Sequence, residues 1–311
     1  MIQILLTTLP IYLMILVGYA AIRWRYLDTA HIGALSQFAL KICLPALIVF
    51  ALALPHGDTG LDPAFFAAYL LGSVATLGLG YAGMRLFLRQ PAADAWIFAF
   101  GMSNSNSGFL GFPIASLLFG ADGAVVFAMT MTIENTVIIP MATMLAGAAQ
   151  HKGATLGGLA RAAGARMIRN PLLIAVAASL LWRATGLSLT APVERAVTTL
   201  AMAASPVALF VIGGTVARMS VGGHWRRTSG IALGKLVLHP LLVAAALYAI
   251  PGVPPALIPV GILFAAVPML TVYPILAAPF GLEAVTSTAL IVTTALSVVT
   301  VTAALGLMHA L

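Results

Sequence analysis

One uncharged apolar stretch holds two Asn, three Ser, two Gly and a Pro within eleven positions: Ser103-Asn104-Ser105-Asn106-Ser107-Gly108-Phe109-Leu110-Gly111-Phe112-Pro113. Its amides and hydroxyls both donate and accept hydrogen bonds. The surrounding stretch, Ala95 to Phe119, is long enough to cross a bilayer and contains no charge. In hydrocarbon every backbone N–H and C=O must be satisfied within the protein, so such a break survives only where it lines a cavity or packs against other helices. A helix broken at membrane depth makes a binding site for a small solute or ion. Asn106, seven residues before Pro113, falls in the unwound part; its structural role would be to cap a half-helix beginning near Gly111. Asn104, Ser103, Ser105 and Ser107 offer further ligands, and Gly108 and Gly111 permit close backbone approach.

Three charged side chains also fall inside apolar runs. Glu134, followed by Asn135, sits near the middle of one. A buried carboxyl is costly unless paired, protonated or bound to a cation. It can pair with Lys41 or Lys235, load and release a proton, or join Asn104, Ser105, Thr130 and Thr132 around a Na⁺, since hard cations prefer oxygen ligands. Lys41 and Lys235 lie within snorkelling reach of the interface, so snorkelling or scaffold pairing is their first reading, and direct substrate or proton coupling the second. His239-Pro240 reads as a kink with a satisfied His before a proton relay. No Arg lies deep in any apolar run, so a bound anion would meet helix N-termini and amide dipoles, or one of these lysines.

The elements that must position these groups are membrane spans. Of 311 residues, 61% are apolar and only 7% charged, with a mean hydropathy of +1.08; ordinary soluble domains carry about 25% charged residues. The net charge of +7 sits in short loops between apolar runs, which is topological and argues against a nucleic-acid partner. The single cysteine, Cys43, excludes an intrachain disulfide, and no zinc-type ligand spacing occurs. Residues 1–22 lack a basic leader and precede Arg23-Trp24-Arg25, which reads as a first span rather than a cleaved signal.

Ten spans of about 20 residues can be drawn: 2–22, 32–54, 64–88, 95–119, 122–147, 170–187, 193–217, 228–250, 255–279 and 284–308. Arg23, Arg25, Arg85, Arg89, Lys152, Arg161, Arg166, Arg169, Arg218, Arg226 and Arg227 fall in alternate loops. The opposite loops hold only Arg183 and Arg195, with Asp58, Asp62, Asp122 and Glu194. This places both termini outside. Trp24, Trp96, Trp182 and Trp225 fall near span ends, as an aromatic belt requires.

The chain also repeats. Pro10, Pro45 and Pro113 have partners 161 residues on at Pro171, Pro206 and Pro274, and Phe119-Gly120-Ala121-Asp122 matches Phe280-Gly281-Leu282-Glu283. Each half then holds five spans, an odd number, so the second half is inverted. The predicted organisation is residues 1–149 as the first repeat, a basic linker over 150–169 and residues 170–311 as the second repeat. The linker reads as topogenic, with a short basic surface helix as the alternative.

The motif Asn106-Ser107-Gly108-Phe109-Leu110-Gly111-Phe112-Pro113 with Phe119-Gly120, Leu44-Pro45-Ala46-Leu47, and Asn170-Pro171 resemble the auxin efflux carrier family over essentially the whole chain. The resemblance implies an all-α membrane fold of ten helices in two inverted five-helix repeats, related to the bile-acid/sodium symporters. Helices 1, 2, 6 and 7 would form a scaffold, often dimeric. Helices 3–5 and 8–10 would form a mobile transport domain in which broken helices 4 and 9 cross. It further implies organic-anion substrates and a role for Asn106 in contacting the substrate carboxylate or holding the crossover. Around it, the candidate substrate site comprises Asn104, Ser105, Gly108, Pro113, Thr271, Tyr273 and Pro274. Helix 9 departs from the family pattern: Pro268-Met269-Leu270-Thr271 has an apolar residue where a polar one is usual, and Ala265-Ala266-Val267 stands where sodium-coupled relatives carry an acid.

The function expected is secondary transport, with export the favoured direction, of a small carboxylate or auxin-like weak acid by an elevator motion. The apolar second arm mildly favours a monoanion with an apolar body. Uniport or proton coupling is preferred, and a sodium-coupled bile-acid-like symporter is the alternative; no cofactor beyond that Na⁺ is implied. The expected partners are the substrate anion, the lipid of a bacterial inner membrane and a second copy through the scaffold helices. An enzyme is disfavoured by the lack of an HExxH, a paired intramembrane Asp or a nucleophile–base arrangement, and a retinal protein by ten repeated spans.

Overall fold

A computed structural model describes residues 2–54, 61–150, 156–219, 222 and 224–308; Asp58 and Lys152 of the charge pattern lie outside them. The described chain is helical throughout, with no strand. In order its helices are α1 (Ile2–Arg23), α2 (Thr29–Phe38), α3 (Leu44–Ala53), α4 (Pro63–Leu86), α5 (Ala92–Ser103), α6 (Phe112–Phe119), α7 (Ala121–Ile133) and α8 (Ile139–Gln150). Then come α9 (Leu156–Ile168), α10 (Pro171–Ala184), α11 (Ala191–Arg218), α12 (Trp225–Leu233), α13 (His239–Ala249), α14 (Leu257–Ala266), α15 (Tyr273–Ala277) and α16 (Glu283–Met308). Among the described residues six continuous helices are long and apolar enough to span: Thr29–Ala53, Pro63–Leu86, Ala121–Gln150, Ala191–Arg218, Trp225–Ala249 and Glu283–Gly306. The basic linker contains the helix α9.

Prolines explain the local shape. Among the described residues four turns are π-helical: Ala39–Cys43, Glu134–Ile138 and Gly234–Leu238 join shorter helices into longer ones, and Ser107–Gly111 leads from the unwound stretch into α6. Each ends two residues before a proline: Pro45, Pro113, Pro140 or Pro240. A proline inside a helix lacks the N–H for the i−4 carbonyl and its ring collides with that carbonyl; widening the preceding turn relieves the collision. Pro268 instead ends a helix. The residue before a proline is driven out of the α region, and Val267 is extended (φ −69°, ψ 157°) just after α14. Gly120 and Gly281, matched in the sequence repeat, both adopt positive φ (54° and 71°) where α6 and the short turn after α15 stop.

The chain divides into two compact units. Unit 1 comprises residues 1–61, 107–132 and 168–218. In it α1 packs on α11, and α3 on α10 and α11. A Cβ on Gly18 would strike the Phe210 backbone, and one on Gly213 the Ile15 backbone. Small residues are what allow helices to approach this closely in lipid. Unit 2 comprises residues 62–106, 133–167 and 219–311. There α4 packs on α5 and α13, α12 on α16, and α14 on α13 and α16. Its core is aromatic: Phe65, Tyr69, Phe98, Phe100, Phe264 and Tyr273 are fully buried.

Candidate functional site

Unit 2 contains two helix breaks that meet. The α5 helix stops at Ser103, and Asn104 is extended (φ −116°, ψ 140°). The chain stays unwound through Asn106, and after α14 it is unwound again over 267–272. Asn106 N–H donates to Pro268 O at 2.8 Å, and Asn106 Nδ2 donates to Thr271 Oγ1 at 2.7 Å. The two breaks therefore satisfy each other's orphan backbone groups, as a non-helical segment in hydrocarbon must. Tyr273 braces the junction. Its hydroxyl donates to Ile97 O at 3.1 Å, its ring meets Phe100 edge-on at 5.6 Å, and Gly101 leaves room for that ring.

Beside the junction lies a buried polar cluster built around Lys235. Its ammonium is fully buried and donates to Ser105 Oγ at 2.7 Å, His239 Nδ1 at 2.7 Å and Ala265 O at 3.0 Å. An ammonium has three donors and no acceptor, so these contacts use it completely. His239, accepting at Nδ1, carries its proton on Nε2, 3.1 Å from Ser73 Oγ. Glu134 accepts from the Ser105 backbone N–H at 3.1 Å, and its charge acts on Lys235. Ser105 is thus bonded to both charged groups. Tyr69 sets its ring edge-on to His239 at 6.1 Å, and its hydroxyl lies beside Ser105 without a well-formed hydrogen bond. Because Ala265 belongs to the last turn of α14, the ammonium also faces the negative end of that helix dipole.

Besides the Tyr69 hydroxyl, a side-chain amide in this region also has no partner. Asn104 is 1% exposed, and neither its Nδ2 nor its Oδ1 makes a hydrogen bond. An amide buried this way costs on the order of 1–3 kcal/mol, which a bound solute would recover.

The remaining sequence candidates are distributed over both units. Lys41, in unit 1, is exposed and donates to Gln37 Oε1 at 3.1 Å. Lys235 does not snorkel: the π turn before Pro240 and its three partners hold it inside. The half-helix after the first break begins at Ser107, not near Gly111, and Gly108 and Pro113 belong to unit 1, where Gly108 faces Leu44 and Phe127. Thr130 and Thr132, also of unit 1, donate to Phe127 O and Ala128 O. Asn135 is half-buried in the π turn that begins with Glu134, and Pro274 is buried in the first turn of α15. Among the described residues, no group of three or more His, Cys, Asp or Glu could hold a metal ion. Sequence reasoning misses Ser73 and Tyr69; their one signal is polarity at buried positions of an apolar helix.

An all-helical chain with spanning helices and a polar break buried among them belongs to the class of membrane transporters. Comparison with known proteins agrees. The family described as membrane transport protein matches residues 3–305, and the chain belongs to it, the auxin efflux carrier family. A Rhizobium meliloti (strain 1021) protein named "Putative malonate transporter" is 29% identical over 310 residues, covering 97% of this chain and 94% of the relative. "Uncharacterized transporter YfdV" of Escherichia coli (strain K12) and its Shigella flexneri counterpart are each 25% identical over 216 residues, 67% of either chain. The protein is a membrane transporter and not an enzyme.

Proposed function

We propose that this transporter carries a small organic anion, with a dicarboxylate of the malonate type as the first substrate to test and an auxin-like monoanion as the second. The observation that carries the reading is Asn104: a buried, unpartnered amide adjoining Ser105, whose hydroxyl holds the Lys235 ammonium. The amide supplies directional hydrogen bonds, and Lys235 with Glu134 supplies charge that a carboxylate or a proton can redistribute. The name of the Rhizobium relative supports malonate as the starting compound.

In this reading the chain forms ten spans in two inverted repeats, and the breaks of helices 4 and 9 are a crossover. Unit 2, which carries the polar cluster, moves the solute by an elevator motion. The scaffold is helices 1, 2, 6 and 7, which also pair two copies in a bacterial inner membrane, with both termini outside and export as the direction. Uniport or proton coupling is favoured over sodium. The two oxygens best placed to ligate a cation at the break, Ser105 Oγ and Ala265 O, already accept from the Lys235 ammonium.

Flux of labelled malonate and indole-3-acetate into proteoliposomes, with and without Na⁺ and with a pH gradient, tests this. Asn104→Ala should abolish flux without lowering the unfolding temperature, because that amide makes no hydrogen bond within the protein and its burial costs stability. Undiminished flux in a folded Asn104→Ala protein would remove the site from consideration.

A further inference from the structure

The outer face of unit 2 bears an apolar groove of about 400 Å³ between α4 and the α12–α13 helix. Its floor is glycine, Gly80 and Gly83 on one side and Gly230 and Gly234 on the other. Exposed side chains wall it: Leu79, Phe87, Leu233 and Leu241. Leu88 also lines a second hollow of about 320 Å³, together with Gln90, His224, Trp225, Arg226 and Arg227.

We propose that these two neighbouring spaces together bind one anionic phospholipid of the phosphatidylglycerol type. An acyl chain would lie in the glycine-floored groove and the phosphate at Arg226 and Arg227. From Gly230 to Leu241 the groove runs along the α12–α13 helix for about 16 Å at 1.5 Å per residue, close to half of a hydrocarbon core of about 30 Å. It therefore matches the chain of a lipid in one leaflet, running inward from a basic end. Basic pockets between spanning helices are where anionic headgroups bind.

Three features make the basic end a built site. Arg226 is exposed, and its guanidinium makes one long contact of 3.5 Å with Phe87 O, leaving most of its donors available. Arg227 is half-buried and interacts with Asp94, the acidic group that faces this end. The first turn of α12 contains no acid, so the positive end of its dipole is uncompensated there. Gln90 then selects among anionic headgroups. Its Nε2 donates to Leu88 O at 2.6 Å, while its Oε1 is buried without a partner. That oxygen accepts only, so it calls for a headgroup donor; glycerol hydroxyls supply one on a headgroup that keeps its net negative charge, whereas choline supplies none and ethanolamine cancels the charge.

The full-length protein in detergent can be titrated with dioleoyl-phosphatidylglycerol, -phosphatidylcholine and -phosphatidylethanolamine and with free glycerol-3-phosphate. Unfolding temperature would be read for each, and retained lipid by native mass spectrometry. Phosphatidylglycerol alone should be retained and should stabilise. Arg226→Gln, which leaves the Arg227–Asp94 contact intact, should weaken it by about tenfold, as loss of a charge-assisted bond does. Gly83→Leu should displace the lipid by filling the groove; a Cβ there meets nothing within 4 Å, so the fold accepts it. Equal stabilisation by the zwitterionic lipids, full activity of glycerol-3-phosphate alone, wild-type affinity in both variants, or a change of oligomeric state on filling the groove would each overturn the proposal.

Discussion

Replacing Lys235 by methionine tests whether the buried ammonium and the Glu134 carboxylate support each other. Methionine has similar length and no donors, so the change removes three hydrogen bonds, to Ser105, His239 and Ala265, without leaving a large cavity. Side-chain hydrogen bonds in membrane proteins average about 0.6 kcal/mol, which gives about 2 kcal/mol for three. Glu134 also loses its countercharge, and breaking a buried ion pair typically costs about 3–5 kcal/mol in all. A stability loss in that range corresponds to a fall in unfolding temperature of roughly 10 °C. The diagnostic measurement is the double-mutant cycle with Glu134→Gln, read by tryptophan fluorescence or size-exclusion stability in detergent. If the charges balance through Ser105, the double variant should lose at least about 1 kcal/mol less than the sum of the single ones. Additive losses would refute the coupling and reduce Lys235 to a cap on α14.

The junction between the breaks yields two more tests. Asn106→Ala and Thr271→Val each remove the same 2.7 Å hydrogen bond, so each should cost about 1 kcal/mol and the double variant little more than either. Independent effects in thermal unfolding would show that the pair does not hold the breaks together. Gly101→Ala places a Cβ against the Tyr273 ring, which is fixed by Ile97 O and Phe100. That overpacking should cost about 1–3 kcal/mol, and Tyr273→Phe in the same background should restore it only in part, since the ring atoms Cζ and Cε1 would still lie 2.5 and 2.7 Å from that Cβ once the hydroxyl at 2.6 Å is gone; full stability of Gly101→Ala would contradict the geometry.

Much of this architecture is written locally. The Ser/Asn/Gly/Pro run announces its break because no continuous helix would concentrate those residues, and the break falls at Asn104–Asn106 within it. The Phe-Gly pairs at Gly120 and Gly281 are legible for the same reason, since a positive φ strongly favours glycine. The division of roles between Asn106 and Asn104 is not legible. Both lie in the run, and only pairing with Pro268 and Thr271, more than 160 residues away in sequence, determines that Asn106 is engaged while Asn104 is left open. Distance to the span end makes Lys235 look like a snorkelling residue. Depth alone does not settle that; the direction in which the side chain leaves the helix does.

That direction depends on backbone widening ahead of proline. Three of the four π turns carry a charged residue: Lys41, Glu134 and Lys235. One residue added to a turn rotates the rest of the helix by about 100° relative to a regular one, enough to carry a side chain from the lipid face to the interior. The turn permits burial without compelling it, as Lys41 demonstrates by remaining exposed on Gln37 despite an equivalent turn before Pro45. What separates the two lysines is a prepared set of acceptors. Around Lys235 the unit supplies a helix-end carbonyl, a hydroxyl from the broken segment and an imidazole nitrogen from the next turn. Two of the three sit at helix ends or breaks, where backbone groups are left over. The interruption that opens the site therefore also provides the oxygens that make a charge at membrane depth tolerable.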